Sequence, residues 1–225
     1  MANNTVLGNN CHFDNDVIIG YETGRRIDIE PAIIGHNAHI RSHTVIYCNV
    51  RIGDEFETGH NAVIREESVI GHHCSIWNNS VIDYGCRIGN HVRIHSNVYI
   101  AQYTIIEDDV FLGPGTTIAN DPHPFCTKCM KGPIIKTGVR IGANATILPQ
   151  LTIGEHSLIG AGSFITHDVP PHTVVYGNSS QQYGPIDSLR CRFDPDRKPY
   201  DQGLDIKTRE ALGISIQRNH GSDEP

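Results

Sequence analysis

The sequence predicts an all-β protein, a parallel β-helix wound from six-residue repeats. Fourteen of fifteen positions taken every six residues from Ile34 to Ile118 are Ile or Leu, Thr58 being the exception. Two places before nearly every one sits a small or β-branched residue, such as Ala38, Thr44, Ala62, Cys74, Cys86, Val92 and Val98; Phe56 departs. The pattern appears earlier at Leu7, Phe13 and Ile19, and resumes at Ile135, Ile141, Ile147, Ile153, Ile159 and Ile165. Helices repeat about every 3.6 residues and strands every two, so a sustained period of six marks a solenoid.

Each hexapeptide supplies one short strand and one corner, and three close a triangular coil. The large residue points inward, and the small one fits near the corner. β-Branched side chains suit such pleated, half-buried surfaces. About eight coils at ~4.8 Å spacing give a prism ~38 Å tall.

The elements follow in order. Residues 1–20 open the prism, and 21–33 interrupt it with a charged segment, Tyr21 to Pro31. Residues 34–118 are nearly five uninterrupted coils. Residues 119–134 break the register with three Pro, an Asn-Asp pair and two Cys, which reads as a loop thrown off the prism. Residues 135–168 add two coils, and Asp168-Val169-Pro170-Pro171 ends them. The expected division is a β-helix domain over 1–171 and a polar tail over 172–225, with one short helix from Asp205 to Leu212.

A net charge of −7 leaves no electrostatic case for nucleic acid or an anionic membrane. No apolar run approaches a membrane span, and the opening residues lack the basic-then-apolar pattern of a leader. Three of the seven cysteines, Cys11, Cys74 and Cys86, fill the small slot of the repeat, where a thiol acts as a small hydrophobe. A reducing, cytoplasmic setting is the expectation.

The stretch from Ile141, IGANATILPQLTIGEHSLIGAGSFITHDVPPHTVVYGN, resembles the closing motif of left-handed β-helix acyltransferases of the hexapeptide-repeat superfamily. The preceding EDDVFLGPGTTIANDPHP resembles their sugar-modifying branch, in particular bacterial N-acetyltransferases of nucleotide-linked amino sugars. The resemblance covers roughly 34–178. It implies a left-handed coil, acetyl-CoA as co-substrate, no metal, and a homotrimer with active sites between neighbouring prisms. Val63, Val81 and Tyr99 lie on flat faces suited to that association. The family commonly closes with Gly-Asn-Pro-Ala-Arg; here Gly177-Asn178-Ser179-Ser180-Gln181 stands instead, without the terminal Arg.

Three clusters are candidate sites. Eighteen-residue spacing sets Gly142 and Ala143 beneath Gly160 and Ala161. This small strip suits a pantetheine arm, or merely satisfies the corners. Lys136 and Arg140 precede it and either meet CoA phosphates or are surface charges. The second cluster stacks Trp77 with His95, Asn78 with Ser96 and Asn79 with Asn97. It offers an apolar ring and amides to a sugar or nucleotide; alternatively Trp77 packs at a subunit contact and the Asn residues form a ladder. The third is the loop. Asn120 and Asp121 match residues that position the sugar in amino-sugar N-acetyltransferases. His123, in His123-Pro124, matches the catalytic histidine of related O-acetyltransferases, where a neutral imidazole accepts the acceptor's proton. His95 is a second candidate for that role. His123, Cys126 and Cys129 have metal-ligand spacing, but lack a fourth ligand. The leading expectation is N-acetylation of a nucleotide-linked amino sugar, with O-acetylation of a sugar or polysaccharide unit as the alternative.

Overall fold

The computed structural model describes residues 5–122, 130–178 and 181–185. His123, Cys126, Cys129 and the helix expected over 205–212 lie outside the described residues. Within them every element is a strand, and the strands form three sheets of 8, 10 and 8. Each strand pairs in parallel with the one a coil later, Ile76 beside Ile94 and Ile94 beside Leu112. The expected left-handed parallel β-helix is the fold.

The first face runs from Thr5–Leu7 to Thr152–Ile153, the second from His12–Phe13 to Thr173–Tyr176, and the third from Ile18–Tyr21 to Phe164–Ile165. The second face gains one antiparallel strand, Gln181–Pro185, against Thr173–Tyr176.

The repeat residues fill the prism: Ile40, Ile64, Ile76, Ile82, Leu112 and Ile141 are fully buried. Thr58 is buried as well, its hydroxyl bonded to that of Thr44, so the one polar member of the column is satisfied. Phe56 departs from the small-residue rule yet is also fully buried.

The corners obey a rule that the sequence analysis did not single out. The residue three places before nearly every inward position takes a left-handed backbone, Pro31 and Gly132 beside the two interruptions being the exceptions among the described residues: Asn61, Asn79 and Asn97 have φ of 58°, 58° and 59°, and Gly85 and Gly115 have 71°. Gly and Asn tolerate that conformation best, which explains why they recur there.

Both interruptions of the repeat leave from the edge between the third and first faces. The segment after Tyr21 packs back onto it: Thr23 donates to Glu66 at 2.9 Å, and Arg25 lies 4.0 Å from the Tyr84 ring centre. Glu66 is fully buried and is also held by Arg65 at 2.9 Å.

Candidate active site

Strand register lines up the residues that follow each inward residue of the second face. Trp77, His95, Gly113, Gly142 and Gly160 therefore form one column along the edge between the second and third faces. Its lower end carries an indole and an imidazole; its upper end has no side chains.

Trp77 and His95 share a cleft of about 440 Å³ on the second face with Glu55, Glu57, Arg93 and Phe111. The Arg41 guanidinium lies 5.6 Å from the Trp77 ring centre and bonds Glu57 at 3.0 Å, so a cation–π contact and an ion pair fix the indole. Phe111 meets His95 edge-on at 6.5 Å. The His95 Nδ1 accepts the Ser96 backbone N–H at 2.9 Å. A backbone amide only donates, so neutral His95 carries its proton on Nε2. The exposed ring thus offers a donor, and its one lone pair is already engaged.

The amides around Trp77 are partly committed. Asn78 accepts the His60 N–H at 2.7 Å. Asn61 donates to Asn79 at 3.2 Å, and Asn79 to Asn97 at 3.3 Å, an amide ladder up the corner. All three of Asn78, Asn79 and Asn97 remain exposed at the mouth of the edge.

In the upper column the glycines are demanded by coil spacing. A Cβ on Gly142 would come within 2.5 Å of the Ala161 nitrogen, and one on Gly160 within 2.6 Å of the Tyr176 Cβ. Ala143 is half-buried, and Ala161 faces solvent. Lys136 and Arg140 do not join this strip. Lys136 stands at the opposite edge of the second face, 2.6 Å from Glu107. Arg140 Nη1 donates to the carbonyls of Asp109, Gly138 and Val139 near that same edge. A cation tied to a carboxylate or to backbone carbonyls is less available to phosphates.

The loop base is built by residues the sequence analysis missed. Asp83, 6% exposed, accepts from Arg65 at 3.0 Å, Tyr99 at 2.9 Å and Gln102 at 2.5 Å. Gln102 in turn accepts from the Asn120 amide at 2.6 Å, and the Asn120 carbonyl accepts the Lys131 N–H at 2.8 Å, which joins the two ends of the loop. Burial, reinforced by the bond to Asp83, pushes the Tyr99 hydroxyl up to about 12, so it stays a donor. Asn120 is thus an anchor rather than an open ligand contact; Asp121 beside it is half-buried. The signal was legible as spacing: Arg65 and Asp83, like Gln102 and Asn120, are eighteen residues apart.

This base sits at the third–first edge, the corner of the triangle opposite the second face. One prism therefore holds the Trp77–His95 cleft and the root of the His123 loop on opposite sides.

A family profile described as bacterial transferase hexapeptide (six repeats) matches residues 49–83, 85–120 and 132–167. Over those three segments the chain carries the repeat of that hexapeptide family. A dTDP-3-amino-3,6-dideoxy-alpha-D-galactopyranose 3-N-acetyltransferase of Aneurinibacillus thermoaerophilus is 43% identical over 51 residues, 23% of this chain and 27% of that protein. A galactoside O-acetyltransferase of Lactococcus lactis is 37% identical over 78 residues, 35% of each chain. The chain thus spans about a third or less of the length of these curated relatives. The crystal structure of a UDP-N-acetylglucosamine acyltransferase from Bacteroides fragilis covers 94% of this chain and 79% of its own, with a TM-score of 0.55 and 17% identity, a likeness of fold.

Proposed function

We propose that this protein transfers the acetyl group of acetyl-CoA to the amino group of a nucleotide-linked sugar, as a homotrimer with its sites between neighbouring prisms. The observation that carries this reading is the column Trp77–His95–Gly113–Gly142–Gly160. Gly142 lies two coils and Gly160 three coils above His95, about 10 and 15 Å at the coil spacing. An extended thiol arm laid over the glycine positions, with Ala143 and Ala161 as walls, brings its acyl end down to His95. The similarity to an amino-sugar N-acetyltransferase supports the acceptor class.

The second face of one prism and the third–first loop of its neighbour then form one site. That pairing answers the separation of His95 from the loop root within one chain. Val63 and Val81 pair in register with Tyr99 on the third face and supply part of the association surface. A cytoplasmic setting, where acetyl-CoA and nucleotide sugars occur together, belongs to the same reading.

In the reaction the sugar amine attacks the thioester carbonyl. The C–N bond forms, the C–S bond breaks, and CoA leaves as its thiol. His95 Nε2–H donates to the developing oxyanion or to the sugar, Trp77 stacks on the acceptor, and Asn78, Asn79, Ser96 and Asn97 offer polar contacts along its edge. His123 of the loop receives the amine's proton and returns it to the departing thiolate, so that CoA leaves as its thiol; Asn120 and Asp121 lie at the start of that loop. The second reading, O-acetylation, draws on the galactoside O-acetyltransferase relative. It makes His123 indispensable, because a hydroxyl must lose its proton as it attacks.

The test is thermal stability with acetyl-CoA, then with nucleotide sugars added. A ligand at a hundredfold excess over its Kd adds about 2.7 kcal/mol. A shift with acetyl-CoA and a further shift with an amino sugar supports the reading; no shift with any acyl-CoA removes it.

A further inference from the structure

We infer that the opening coil carries a binding site for a divalent transition-metal ion, made by His12, Asp14 and His39. His12 and His39 are register partners on adjacent strands of the second face, so both side chains leave the prism side by side. Their rings meet edge-on with centres 4.8 Å apart. Asp14 reaches back between them: its Oδ1 lies 3.4 Å from His12 Nε2 and 3.8 Å from His39 Nε2. The three ligand atoms all fall within 4.8 Å of one another.

Those separations suit a tetrahedral ion. Zinc binds imidazole nitrogen and carboxylate oxygen at about 2.0–2.1 Å, which puts neighbouring ligand atoms about 3.3 Å apart. One pair is at that spacing already, and rotation of exposed imidazoles closes the others. Two nitrogens and one oxygen select zinc, cobalt or nickel over magnesium or calcium, which prefer all-oxygen shells. The second Asp14 oxygen accepts the Ser42 N–H at 3.4 Å, an outer bond that orients the ligand carboxylate. The His12 side chain is 70% exposed, so the ion has a path in and a fourth position open to water.

The position gives the ion a task separate from acyl transfer. In the first described coil Val6 and Ile18 remain 53% and 44% exposed. An ion shared by His12 and His39 ties the first coil to the second across the 21–33 interruption. The pair His73 and His91, stacked at 5.1 Å, has its carboxylates at its two ends, Glu55 on His73 and Asp109 on His91, rather than shared between them.

The experiment titrates chelator-treated protein with Co(II), read by its visible absorption, and with Zn(II), read by the melting midpoint. We expect one equivalent per chain, the intense bands of four-coordinate cobalt, and a raised midpoint. Asp14→Asn and His39→Ala should each weaken binding at least tenfold while leaving the metal-free midpoint in place; His73→Ala should bind as the parent does. Absence of stoichiometric binding, or binding that survives His39→Ala, overturns the site.

Discussion

Gln102 accepts a hydrogen bond from the Asn120 amide at 2.6 Å while its own amide nitrogen donates to Asp83. One side chain thus links a buried carboxylate in the prism to the first residues of the extruded loop. Without Gln102, Asp83 would keep Arg65 and Tyr99, but the buried Asn120 amide would lose its acceptor, and a buried donor left unpaired costs about 1–3 kcal/mol. Gln102→Leu is expected to lower the melting midpoint by that order and to reduce kcat more than it changes the KM for acetyl-CoA. Steady-state kinetics beside a thermal melt checks it, and an unchanged kcat would detach the loop base from catalysis.

Glu66 sets an acid limit on stability. Burial pushes its carboxyl up, but its own backbone N–H, Thr23 and Arg65 outweigh that and hold it below the usual range. A carboxylate depressed in the folded state stabilises above its unfolded pKa of about 4.3, and that contribution is lost as pH falls through the folded value. Glu66→Gln removes the charge that Arg25 and Arg65 face, though these partly exposed guanidiniums keep Glu67 and Asp83, and should cost about 1–3 kcal/mol at pH 7. The gap between the two proteins should narrow as the pH is lowered below about 4. Urea melts across pH measure it; a gap independent of pH would refute the assignment.

Two substitutions in the glycine column separate packing from ligand binding. Gly142→Ala forces a Cβ toward the Ala161 nitrogen and should cost about 1–3 kcal/mol. Ala161→Leu projects into solvent at the same edge, so the midpoint should hold while the KM for acetyl-CoA rises by on the order of tenfold, about 1.4 kcal/mol. Equal KM values would move the CoA arm elsewhere.

The two histidines should behave differently. With an amine acceptor, His123→Ala is expected to lower kcat by about tenfold or less, whereas a hydroxyl acceptor would lose on the order of 10²–10⁴. His95→Gln keeps an N–H donor and should retain more activity than His95→Ala; the reverse order would argue for His95 as a base.

The fold was legible because each hexapeptide repeats one local solution: inward Ile, small corner residue, short strand. The same column reading could have found the left-handed corner position, since Asn61, Asn79 and Asn97 stand in plain period, but their amides read equally well as ligand contacts. Trp77 and His95 do line one cleft, as eighteen-residue spacing implies. Lys136 escaped because nearness in sequence to Gly142 hides a turn of the triangle: three corners separate residues into three edges, and Lys136 is on another one. The Asp83–Gln102–Asn120 chain escaped because its members belong to different hexapeptides and acquire meaning only when coils stack.

The central claim is a site shared by the second face of one chain and the loop of another. Two variants test it directly: Trp77→Ala with His95→Ala in one chain, and a loop variant, His123→Ala with Asn120→Ala, in the other. Each should be poorly active alone. Co-expressed, they should recover activity, up to about a quarter of the sites being intact if subunits mix at random in a closed ring. Mixed oligomers verified by native mass spectrometry yet no more active than either parent would contradict the shared site and return catalysis to a single prism.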